Sequence, residues 1–184
     1  MEVTIIDRLY EDNRALVDFL NKGSENSLSN HVESHFRKTL LLSAASFFET
    51  VIKDDLLRFV EERAKGAAPL MHFVKNKAIE RQYHTFFNWE QRNANSFFAL
   101  FGSEFKEFME AEVKSDTRFG ESIRAFLELG AVRNQLVHQN FGTFPLEKTT
   151  NEVYGLYKKA SIFVERFPQK LRQFVEQLAS ADEQ

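Results

Sequence analysis

The sequence predicts an all-α fold, and three observations carry that expectation. Only three prolines and seven glycines are scattered through 184 residues, which leaves little material for turns and favours long helices joined by few loops. Apolar residues recur at spacings of three and four along most of the chain, the mark of a buried helical face. No stretch carries the apolar–polar alternation of a half-buried strand, and there is neither a fixed-period repeat nor a low-complexity tract.

Taken in order, residues 3–20 place Ile5, Ile6, Leu9, Leu16, Phe19 and Leu20 at helical spacing and read as a first amphipathic helix. Residues 21–27 are loop by composition. A long helix is expected over 29–64, where Phe36, Leu40, Leu41, Ala44, Phe48, Ile52 and Leu56 keep the 3/4 pattern; its roughly 35 residues leave room for a kink or break. Gly66 to Pro69 end it, and Pro69 suits the start of a helix over 70–83. Residues 85–89 fit neither class. Two short helices, 95–101 and 104–113, flank Gly102-Ser103, and Asp116 or Thr117 caps the helix that follows. Residues 141–145 form a loop, after which Thr149 or Thr150 caps a helix over 152–167. Pro168 is expected to open a separate last helix ending near Leu178, with residues 179–184 frayed.

The totals bound the function classes. The length suits one domain over residues 1–184 with a sizeable core. Twenty Phe against one Trp and four Tyr point to rings in the core or at a subunit interface, because Phe has no polar handle. Cysteine is absent, so disulfide and thiolate chemistry are excluded. No apolar run reaches a membrane span and the N-terminus lacks a secretory pattern, so a cytoplasmic protein without membrane contact is expected. A formal charge of −3 argues against general polyanion binding; a nucleic-acid role needs a local basic cleft.

Candidate chemistry concentrates in residues 129–140. On a helical wheel, Glu121, Arg124, Glu128, Gln135 and Gln139 form the solvated face. Arg133, Asn134 and His138 fall instead on an apolar arc, around Val137. Polar groups held on such a face need partners or a purpose. Elsewhere the signals are weak. His31 and His35 stand at i,i+4 around Glu33, but the adjacent Glu and third ligand of a zinc-protease helix are missing, so a solvated face and no metal is the expectation. His72 and His84 have no acidic or thiol companion nearby in the chain. No glycine-rich phosphate loop and no serine triad is present, and no cofactor is assigned.

Two readings of Arg133 to His138 stand at this point. In one, Arg133 pairs with a core carboxylate while Asn134 and His138 bond each other across a turn. In the other, the group performs acid–base chemistry on RNA. Metal-free cleavage needs a group that exchanges protons near neutral pH, which an imidazole does. It also needs a fixed cation where charge builds on the phosphate, and a guanidinium supplies one. Asn134 would orient the ring or bond the phosphate. Five residues separate Arg133 from His138, about 140° of azimuth, so one helix does not aim both at a single phosphate unaided. A homodimer that pairs this helix with its mate would gather two of each.

Arg133-Asn134-Gln135-Leu136-Val137-His138 matches the R-x4-6-H motif, with a polar residue after the Arg, and resembles that of the HEPN superfamily (higher eukaryotes and prokaryotes nucleotide-binding). The helix carrying Leu41 to Glu49 is similar to that family's early core helix. The Phe97 to Gly102 segment, the motif helix and the closing helix resemble the RiboL-PSP-type HEPN branch, over about residues 27–167. The resemblance implies a helical bundle with a long early helix and a late motif-bearing helix, dimeric through the motif helices. It also implies a metal-independent endoribonuclease of a defence, stress or toxin–antitoxin system, with RNA as partner and an antitoxin or other protein as a possible second one. Arg133 and His138 would be catalytic and Asn134 supporting. Glu49 would either join the site or form an ion pair with Arg133, the latter being slightly favoured. The alternatives are a non-catalytic HEPN module that binds nucleotide, RNA or protein, and a helical protein in which these residues are a satisfied core network.

Overall fold

The computed structural model describes residues 3–182, with side chains through residue 180. Among these, eight α-helices and no strand occur. Helix α1 (Ile5–Lys22) starts at a capping box: Asp7 N–H donates to Thr4 Oγ1, and the Asp7 carboxylate accepts from Thr4 N–H at 2.8 Å. Helix α2 (Asn26–Ala64) runs uninterrupted for 39 residues, roughly 58 Å. Its buried stripe is Leu41, Ala44, Ala45, Phe48, Ile52 and Leu56, the predicted 3/4 pattern. It stops where Lys65 and Gly66 turn left-handed, at φ 46° and 84°.

The helix expected over 70–83 is broken. Helix α3 (Ala68–Val74) opens with Pro69 in its first turn, then widens into a π-helical turn, Lys75–Ile79. Glu80 is extended and Arg81 left-handed at φ 62°, before the short α4 (Tyr83–Phe86). Ile79, Phe86 and Phe87, on either side of the break, all reach the core. Helices α5 (Asn95–Ala99), α6 (Ser103–Ser115) and α7 (Thr117–Val137) follow. Asp116 caps α7 by accepting from Phe119 N–H at 3.0 Å, while its other oxygen takes the Arg166 guanidinium at 2.6 Å.

Helix α8 (Thr150–Asp182) corrects the sequence expectation of two helices divided at Pro168. Pro168 lies inside one continuous helix. A proline there forgoes one hydrogen bond and crowds the preceding turn, at about 3 kcal/mol. Val164, Phe167 and Leu171 are buried on either side of it, and burying side chains of that kind contributes about 1.5–3 kcal/mol each. The packing therefore offsets the proline. The helix also runs past Leu178 to Asp182, and residues 183–184, expected to fray, lie outside those described. Thr149 and Glu152 form the capping box at its start, with bonds of 2.8, 2.9 and 3.2 Å.

The long helices α2, α7 and α8 pack together, α1 lies along α2, and α6 closes against α7 and α8. Phenylalanine fills the space between them. Phe126 meets Phe48, Phe87 and Phe163 at centroid distances of 5.9, 4.9 and 5.0 Å. No helix of the described residues is long and apolar enough to cross a membrane.

Polar side chains tie α1 to α8. Asp7, 8% exposed, accepts from Tyr154 Oη at 2.7 Å and Lys158 Nζ at 3.1 Å as well as from Thr4. Burial pushes its carboxyl up, yet the bonds from Tyr154, Thr4 and Lys158 outweigh that and hold it at about 2. A depressed carboxylate contributes stability that is complete above its ordinary range near pH 4 and is lost as pH falls through about 2. Asp7→Asn should cost about 2 kcal/mol at pH 7, a melting temperature lower by about 4–8 °C. The gap to the wild type should close in thermal scans taken near pH 2.

Candidate active site

The last turns of α7 keep Leu136 in the core but turn another side out of it. Through Gly130 its inward face is buried; beyond it Arg133 and Asn134 are half-buried, and Val137 is 46% exposed. The reason lies in the segment that resisted assignment from sequence. Residues 85–89 turn inward as an aromatic wedge: Phe87 stacks near Phe97 at 4.4 Å, and Trp89 lies 5.0 Å from Phe87 and 5.8 Å from Phe126. Trp89 Nε1 donates to the His84 carbonyl at 3.2 Å. The indole rests directly on Gly130, where any Cβ would overlap its six-membered ring. Glycine in mid-helix costs about 1 kcal/mol relative to alanine, and here it makes room for the wedge.

Wedge, α2 and α7 enclose a cavity of 480 Å³. Arg133, Asn134 and His138 line one wall, Glu49 stands on α2, and Arg81, Tyr83 and His84 come from the broken helix. Arg133 Nη1 donates to Asn134 Oδ1 at 3.1 Å. That bond holds the amide oxygen toward the guanidinium. His138 is the residue on which α7 ends, its backbone N–H donating to the Asn134 carbonyl at 3.2 Å; its side chain is exposed. Asn134, His138 and Trp89 also border an adjoining, shallower hollow of 900 Å³. Burial raises the Tyr83 hydroxyl far above its ordinary range, the Glu49 carboxylate adds to the rise, and Arg133 opposes it. Tyr83 therefore presents an O–H donor to the cavity at any physiological pH.

The loop after α7 is fixed from α2. Lys38, 4% exposed, donates from Nζ to the carbonyls of Phe141 and Gly142 at 2.8 and 3.3 Å, with the Phe141 ring 5.4 Å away. Asn140 steadies the same turn by accepting from Gly142 N–H at 2.9 Å. His138 is thus held between a helix end and an anchored loop.

Several sequence expectations are corrected by this geometry. The favoured Glu49–Arg133 ion pair does not form; Glu49 pairs with Lys53, one turn along α2, at 3.2 Å. Asn134 and His138 share a backbone bond and no side-chain one, because Arg133 occupies the amide. Arg133 and His138 line one cavity within one copy of the chain, with His138 still on the helical path through its backbone bond to Asn134. His84, isolated in the sequence, shares the cavity with Glu49 across a fold-level contact. The His31 and His35 rings meet at 4.5 Å, tilted by 52°, while Glu33 turns inward to Asn13 at 3.2 Å and Thr150 at 2.6 Å. Among the described residues no cluster of three His, Asp or Glu could hold a metal ion. The residues missed by sequence reasoning are Arg81, Tyr83, His84, Trp89 and Lys38. The signal that was available for Trp89 is Gly130, an isolated glycine in a helical pattern.

Gly130→Ala should force the indole off α7. A loss of about 1–3 kcal/mol is expected from such overpacking. Trp89 is the sole tryptophan, so a red-shifted emission spectrum reports the displacement directly; unchanged emission would refute it.

The profile of the RiboL-PSP-HEPN family matches residues 7–173. No curated protein and no solved structure matches the chain. HEPN proteins are often ribonucleases, and HEPN domains commonly bind RNA and dimerise. The match spans all but the two ends of the sequence and includes every residue of the cavity: the chain belongs to the RiboL-PSP family of the HEPN superfamily.

Proposed function

We propose that this protein is a metal-independent endoribonuclease, with Arg133 and His138 acting on the scissile phosphate and Asn134 supporting Arg133. The observation that carries the reading is the convergence of Arg133 and His138 on one 480 Å³ cavity. The 2′-oxygen attacks the adjacent phosphorus as its proton leaves, the bond from phosphorus to the 5′-oxygen breaks, and that oxygen gains a proton. His138 exchanges protons, and Arg133 neutralises charge on the phosphoryl oxygens. The products are a 2′,3′-cyclic phosphate and a 5′-hydroxyl. Asn134 accepts one guanidinium N–H and leaves the others to face the substrate.

The chain's net charge of −3 is no obstacle to this reading, because two Arg and two His line the cavity against the single carboxylate of Glu49. Such local focusing draws an anion without a basic surface. Val137, exposed at the cavity, and Phe141, exposed in the loop after α7, would be covered if two copies met at the motif helices, and we assign a homodimer there. A cytoplasmic defence or toxin–antitoxin setting, with a separate neutralising protein, is the biological context proposed.

Purified protein incubated with total RNA in EDTA should release fragments ending in cyclic phosphate. Arg133→Ala and His138→Ala should each lower the rate at least about 100-fold with the helical circular-dichroism signal intact. Cleavage persisting in both variants would reject the assignment. An inert wild type that remains dimeric would favour a non-catalytic binding module.

A further inference from the structure

We infer that Arg81 and His84 supply a second cation and a second imidazole to this site, so that one copy of the chain carries a complete acid–base pair. The inference rests on the ribonuclease reading above and deepens it. Its starting point is the chemical requirement: transphosphorylation moves two protons, one off the 2′-hydroxyl and one onto the 5′-oxygen, at opposite sides of phosphorus. Two imidazoles, His84 and His138, line the same cavity from different elements. One takes the 2′-hydroxyl proton as the new O–P bond forms, and the other gives its proton to the leaving 5′-oxygen as the old bond breaks. Arg81 and Arg133 likewise approach the cavity from separate elements, which lets two guanidinium groups hold different phosphoryl oxygens.

The backbone around Arg81 gives independent support. A π-helical turn directly precedes it, and Arg81 itself is left-handed at φ 62° without being glycine. Both features are costly and gather where a site demands a particular aim. Here they carry the chain from α3 around to the cavity, so that Arg81, Tyr83 and His84 all reach it. The hydrogen bond from Trp89 to the His84 carbonyl fixes the backbone from which that imidazole projects. The charged and titratable groups facing His84 across the cavity are Glu49 from α2, Arg81 and Tyr83 from its own segment, and Arg133 and His138 from α7.

The test compares His84→Ala and Arg81→Gly with the wild type. Glycine suits left-handed backbone, so Arg81→Gly should melt no lower than the wild type while cleaving at least about tenfold more slowly. His84→Ala should lose about 100-fold in kcat and one of the two limbs of a bell-shaped pH–rate profile. Mixing His84→Ala protein with His138→Ala protein should restore nothing, because no cavity in a mixed dimer is intact. A binding readout stands apart from turnover: a non-cleavable 2′-deoxy dinucleotide should shift the ring proton resonances of both His84 and His138. Wild-type rates and pH profile in His84→Ala, beside an inactive His138→Ala, would overturn this inference alone. Activity restored by mixing, or a His84 resonance that ignores the dinucleotide, would also overturn it. An active His138→Ala would remove the ribonuclease reading and this inference together.

Discussion

The contact on which the site depends is the indole of Trp89 lying on the bare backbone of Gly130. It joins two parts of the chain that local propensity would keep apart. On one side is an irregular stretch whose aromatic residues have no secondary structure to organise them. On the other is a helix whose inward face must be covered. Because the ring sits on α7 one turn before Arg133, it closes the core beside the turns that carry the polar residues. Beyond it Leu136 stays in the core, and the cavity lies between α7, α2 and the wedge. Aromatic packing is dense and non-directional in its driving force. It nevertheless sets the position of polar chemistry here, by deciding which turn of the helix emerges from it.

Charge is distributed accordingly. Several acidic side chains spend their charge on structure. Asp7 gathers bonds from Thr4 at its own helix start and from Tyr154 and Lys158 of α8, Asp116 caps α7 and pairs with Arg166, and Glu62 takes Arg172 at two points of 3.0 Å. Glu33 bridges α1 and α8. The cavity keeps one carboxylate, Glu49, already neutralised by Lys53. An acidic chain can therefore contain a cationic hollow, since the sum over a sequence says nothing about where each sign is used.

What the sequence disclosed and what it withheld follow from the range of the interactions. The 3/4 stripe of α2, the cap at Asp116, the capping box at Thr149 and the breaks at Gly66 and Gly102 are local, and each was legible. The motif was legible too, because Arg133 and Asn134 sit off the solvated face of a strongly patterned helix. Pro168 misled, because a local rule met a nonlocal fact: the turns on either side of it are buried, with Phe167 against Phe97, Phe101 and Phe105. Arg81, Tyr83 and His84 were illegible for the same reason. They adjoin Arg133 only through the wedge, and about fifty residues of chain separate them from it. The wheel treated every arc as uniform along the axis, whereas α7 is core for most of its length and wall at its end.

Lys38 carries a consequence for how this region tolerates change. Its ammonium binds the carbonyl oxygens of Phe141 and Gly142, and every amino acid has a carbonyl oxygen. The path of the chain leaving His138 is therefore specified by a side chain a hundred residues upstream and by backbone that substitution does not alter. Of the loop side chains, Asn140 holds the turn and the Phe141 ring lies near the ammonium, while the lysine itself reads only backbone. A surface turn is bound in this way to a buried charge.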